Sequence, residues 1–104
     1  MADVCGQVGR DANMQVVEGE EAQIIQAWEN VKLVLSEAGA GFEHVYSLVT
    51  YHVGIQEQLQ TFVDIKDRYL SRANPPPTWT GIGVTALASS GLIVEIQVNA
   101  YIPE

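Results

Sequence analysis

The chain has 104 residues, enough for one domain with a single modest core. At 47% apolar and 17% charged it does not have a disordered composition, and no apolar run nears the ~18 residues of a membrane span. The net charge is -8, and its basic residues (Arg10, Lys32, Lys66, Arg68 and Arg72) form no stripe, which argues against nucleic acid or a membrane surface as partner.

Cys5 is the sole cysteine, so an intrachain disulfide is excluded. The start, Met1 to Cys5, has neither a basic n-region nor a long apolar h-region, and a cytoplasmic protein is the expectation. Val4 to Val8 reads as a short strand interrupted by Gly6, and Gly9 to Gly19 as a polar, turn-rich loop. Glu20 to Ala38 is the clearest helix. Ile24, Trp28, Val31, Leu35 and Ala38 recur at spacings of three and four, Glu20 and Glu21 suit the helix start, and Gly39 suits its stop. Trp28 is expected in the core.

Val45 to Val53 alternates and is rich in β-branched and aromatic residues, as a strand would be. Both of its faces carry apolar groups, so cover is expected on each side, from a helix on one and a partner subunit on the other. Gln58 to Arg72 predicts a second helix with Leu59, Phe62, Val63, Ile65, Tyr69 and Leu70 on its stripe, ended by Asn74 and three prolines. Two strands, about Trp79–Leu87 and Leu92–Tyr101, complete the chain, joined by Ala88-Ser89-Ser90-Gly91 as a hairpin pair would be. The order β-α-β-α-β-β predicts a single α+β domain over 1–104, with two helices on one face of a mixed sheet. A bare apolar sheet face predicts a closed oligomer.

Glu95 is the best chemical candidate, because a carboxylate inside an apolar strand is costly unless paired or working. The bland alternative is a strand carboxylate with its head in solvent at a subunit seam. Trp79, presented rigidly after the prolines, reads either as a ligand platform or as interface packing. Cys5 has no evident histidine or helix start to lower its thiol pKa and is read as a small pocket-lining residue rather than a nucleophile. His44 and His52 lack a second ligand at metal spacing. Gly81-Ile82-Gly83 lacks the strand-turn-helix setting of a nucleotide fingerprint and marks a close backbone approach instead.

Several segments together resemble the YjgF/YER057c/UK114 (Rid) family of small enamine/imine deaminases. They are Val4-Cys5-Gly6-Gln7, Gln26-Ala27-Trp28-Glu29-Asn30-Val31, Leu35-Ser36-Glu37-Ala38-Gly39, Tyr69, Pro77-Thr78-Trp79-Thr80 and Gly91-Leu92-Ile93-Val94-Glu95-Ile96, in the family's order. The likeness is nearest to the YjgH-type branch. The resemblance implies a chorismate-mutase-like α+β fold, a homotrimer with intersubunit clefts, a small-molecule ligand, and no metal or organic cofactor. It implies that Glu95 orients the attacking water and that Cys5 and Gly6 line the pocket. The helix position usually held by asparagine maps onto Lys66, and a pocket position maps onto Gly81. The arginine that grips the substrate carboxylate in the active deaminases maps onto Trp79, which removes the bidentate fork. Lys66, or Arg10 from its loop, is then the available substitute charge. The family also carries a further strand and a pocket tyrosine ahead of Val4; a late start and a true truncation would read alike here. The two functional expectations are a hydrolase of altered substrate range and a non-catalytic trimer that binds a small metabolite or a protein partner.

Overall fold

A computed structural model describes residues 2–71 and 73–103, with the side chains of 2–5 excepted. The elements are β1 (Ala2–Val8), α1 (Glu20–Glu37), a single 3-10 turn (Phe42–His44), β2 (Val45–Val53), α2 (Ile55–Tyr69), β3 (Thr78–Val84) and β4 (Val94–Ala100). The sheet runs in the order β1-β4-β2-β3. β4 is antiparallel to both β1 and β2, while β3 lies parallel to β2 at the edge.

The hairpin expected of the last two strands does not form. β3 and β4 flank β2 on opposite sides, so their connection crosses the end of β2. The segment between them is tied down instead by Leu92 N–H to Ser89 O and by burial of Leu92. The second helix also starts one turn earlier than its apolar stripe suggests. Gly54 alone joins β2 to α2, and its φ of 69° and ψ of 48° lie in the left-handed region that glycine enters without strain. That conformation turns the chain straight from strand into helix.

Strand alternation decides which side chains meet the helices. Leu48, Thr50 and His52 of β2 stand beside Val98, Ile96 and Val94 of β4, and all six are buried. Ile24, Ala27, Trp28, Val31 and Leu35 of α1, with Phe62 and Ile65 of α2, complete this core. Trp28 is fully buried, as its helical spacing predicts. It stacks on Tyr69 at 5.6 Å and packs beside Phe42 and Phe62. Among the described residues its Nε1 is buried without a hydrogen-bond partner, set against a ring enclosed by three others. The opposite face carries Ser47, Val49, Tyr51 and Val53 of β2 and Glu95, Gln97 and Asn99 of β4, and neither helix covers it.

Candidate active site in two halves

Glu95 lies on the bare face, between Val8 of β1 and Tyr51 of β2. It is half-buried, and among the described residues its carboxylate makes no hydrogen bond. Gly6 makes room for it. A Cβ built on Gly6 would come within 2.6 Å of Glu95 Cδ and Oε2, so a side chain there would displace the carboxylate. The start of β4 is held from both helices. Gln23 of α1 accepts from Ile93 N–H at 2.7 Å, and Gln58 Nε2 of α2 donates to Ile93 O at 3.0 Å. Two buried glutamines thus fix the backbone just ahead of Glu95.

Trp79 lies on the other face. It shares a row with Leu48 and Val98, directed at the helices. Its indole lies over Gly81, where an added Cβ would meet Cζ2 at 3.3 Å. Phe62 stacks on it at 5.9 Å, and the Lys66 ammonium sits 5.0 Å from its centroid. Lys66 also donates to Asp67 Oδ1 at 2.9 Å. Leu48, Lys66, Leu70, Ala73, Pro77 and Trp79 line a cavity of about 300 Å³.

A directed hydrogen-bond chain runs beneath this ring. Gln58 Nε2 donates to two carbonyls, so its Oε1 faces His52 Nδ1 as an acceptor at 2.6 Å. Nδ1 therefore carries the proton, and Nε2 accepts from the Thr50 hydroxyl, also at 2.6 Å. Thr50 Oγ1 in turn accepts the Trp79 indole N–H at 2.9 Å. Burial holds the His52 pKa below its ordinary value, and the Gln58 hydrogen bond opposes that shift only in part. This hub is not among the site residues expected from the sequence. Its signal was two polar residues, Thr50 and His52, on the buried face of an otherwise apolar strand.

The expected site residues therefore fall into two groups. Lys66, Trp79 and Gly81 meet on the helix-covered side at one edge strand. Gly6 and Glu95 meet on the bare side, two strands away. The Cys5 side chain lies outside the described residues, as does Arg72. Arg10 is engaged elsewhere. Its guanidinium bonds the Ser89 hydroxyl, and its carbonyl accepts from Asn30 Nδ2 at 2.9 Å. His44 accepts from the Gly41 N–H at 2.9 Å and lies 3.5 Å from the Glu43 carboxylate, whereas His52 is enclosed in the chain just described.

The family model for Endoribonuclease L-PSP matches residues 1–102. The chain belongs to this family, the YjgF/Rid proteins. It is 34% identical over 101 residues to the RutC family protein YjgH of Escherichia coli, spanning 97% of this chain and 75% of that one. A RutC family protein of Aquifex aeolicus is 29% identical over 98 residues, covering 93% of this chain and 77% of its own. Among solved structures, the Rid family protein YyfB of Yersinia pestis superposes with a TM-score of 0.82 at 34% identity, covering 95% and 76% of the two chains. RidA of an Antarctic Psychrobacter superposes with a TM-score of 0.86 at 28% identity, covering 96% and 79%. No helix among the described residues is long and apolar enough to cross a membrane.

Proposed function

We propose that this chain is a hydrolase of small imines or enamines, working in clefts between the subunits of a homotrimer. One observation carries the reading: the half-buried Glu95 carboxylate, without a hydrogen bond among the described residues, held over Gly6 on a sheet face that neither helix covers. A second copy against that face would bring a Trp79–Lys66 half-site toward Glu95, an arrangement that one protomer cannot make from opposite faces of its sheet.

The chemistry needs water, a base and an electrophilic carbon. Glu95 takes a proton from water as its oxygen bonds to the imine carbon. That proton passes to the nitrogen of the tetrahedral intermediate. Glu95 then moves the proton of the new hydroxyl group to the same nitrogen, the C–N bond breaks, ammonia leaves, and C=O replaces C=N. The second half-site sets the substrate range. Where the resemblance calls for arginine, Trp79 offers an apolar wall, and the Lys66 ammonium supplies one point charge instead of a fork. The reading is therefore of substrates with at most one weakly held anionic group. RNA is a poor fit to a chain of net charge -8.

The test is imine hydrolysis by the purified protein, with 2-iminoacids and imines lacking a carboxylate both generated in situ, and its mass taken by light scattering. The expected mass is three times the 11.3 kDa of the chain. Glu95→Gln should lose on the order of a hundredfold or more in rate while remaining folded. Equal rates for wild type and Glu95→Gln, or a monomeric mass, would sink the proposal.

A further inference from the structure

A cavity of about 410 Å³ opens between the C-terminal ends of α1 and α2, on the far side of α2 from the Trp79 cavity. Leu35, Phe42 and Tyr69 form its apolar wall, with Phe42 and Tyr69 edge to face at 5.5 Å. The wall is rigid, because Trp28 stacks behind Tyr69 and the Tyr69 hydroxyl donates to Glu29 at 2.6 Å. Burial first, and the Glu29 carboxylate second, keep this phenol protonated well above its ordinary range. Tyr69 therefore offers the cavity a neutral ring.

Lys32 and Arg68 stand at the rim, and Glu43 is the one acid there. The described basic side chains divide clearly. Arg10 is bonded to Ser89, and Lys66 to Asp67 and the Trp79 ring. The side chains of Lys32 and Arg68 make no hydrogen bond or ion pair among the described residues, in a chain with 13 acidic residues to choose from. Both of the uncommitted cations line this one cavity. The α2 dipole accounts for Arg68, which lies in the last helical turn. It does not account for Lys32, since no basic residue lies in the last turn of α1.

We infer that this cavity is a second binding site, separate from the Glu95 chemistry, for a small organic monoanion with a flat apolar body. The carboxylate meets Arg68 and Lys32 at the rim, with Arg68 able to bind it bidentately, and the body lies against Phe42 and Tyr69. Among the described lining residues, two cations against one carboxylate leave one net positive charge, which matches a single anionic group. The ring wall and the rim charges are both needed, so neither a bare anion nor a neutral ring satisfies the site.

An amide NMR titration of the full chain with phenylacetate tests this, with acetate and benzyl alcohol as the two half-ligands. Phenylacetate should shift the amides of Leu35, Phe42 and Tyr69 and approach saturation by about 10 mM, as a site of about millimolar affinity would. Each half-ligand should bind at least about tenfold more weakly. Lys32→Gln with Arg68→Gln, both exposed positions, should leave the spectrum folded and weaken phenylacetate by a similar factor. The inference is overturned if no shift saturates, if benzyl alcohol binds as well as phenylacetate, if the double variant binds unchanged, or if the shifts centre on Lys66 and Trp79.

Discussion

On the helix-covered side of the sheet, Thr50, His52, Gln58 and the Trp79 indole each find a partner. On the bare side Glu95 finds none among the described residues. Polar pairs that do form there are Asn99 to Ser47 at 3.0 Å, which is part-buried, and Tyr51 to Gln97 at 3.3 Å, which is exposed. The same strands produce both patterns, because alternate residues point to opposite faces. The contrast separates two uses of a polar side chain. A buried, fully paired network specifies one arrangement of the core, and breaking it costs stability. A carboxylate held by shape alone keeps its lone pairs for something else. Changes on the two faces should therefore differ in kind: stability on one, activity on the other.

The largest stability effect should come from Thr50→Val. Valine keeps the shape of threonine but removes the acceptor for Trp79 and the donor for His52. Leaving those two groups unpaired should cost about 2 kcal/mol. Urea unfolding at fixed protein concentration would show this as a lower midpoint with an unchanged slope. An unchanged midpoint would mean that the network does not stabilise the fold.

A smaller effect should follow from pH. Native His52 takes up its proton only below its ordinary pKa, whereas in the unfolded chain it does so near the ordinary value of 6.5. Stability from this residue is therefore full above 6.5 and is lost as pH falls from there through the lowered native value. Within that window stability should fall as pH falls, at no more than about 1.4 kcal/mol per pH unit. The comparison that isolates it is the difference between wild type and His52→Gln over the same range. Parallel curves would reject the assignment.

How much of this was legible beforehand follows from the same contrast. Local patterns were read well. The helix of Ile24, Trp28, Val31 and Leu35 ends where Gly39 adopts a φ of 80°, and β2 has the bounds its alternation predicts. The two-helix, one-sheet class followed from element order. Strand neighbours did not, because β4 pairs with β1 some ninety residues away, and nothing in Ala88-Ser89-Ser90-Gly91 distinguishes a crossover from a hairpin. For the site, Glu95 and Gly6 were named together, but their contact depends on cross-strand register. Trp79 reads from sequence as a ligand platform or as interface packing; within one protomer its ring is engaged by Phe62 and Lys66. The His52 hub was hidden because its partners lie on three elements, β2, α2 and β3.

The smallest stability effect, and the sharpest test of the contrast, belongs to Gly6→Ala. The new methyl would sit 2.6 Å from the Glu95 carboxyl group, against about 3.4 Å or more for ordinary contact, so the two must separate by about 1 Å. What gives way is the far end of a flexible side chain rather than backbone, and alanine needs no unusual φ at this position. Stability should therefore stay within about 0.5 kcal/mol of wild type. The rate should not. On the proposed function, a carboxylate moved by about 1 Å from the point where it would align water should cost on the order of tenfold to a hundredfold. Thr50→Val should do the reverse, losing stability and keeping the position of Glu95. If Gly6→Ala hydrolyses imines as fast as wild type, the room that Gly6 leaves for Glu95 serves packing alone. The division of labour between the two faces would then fail at its most direct point.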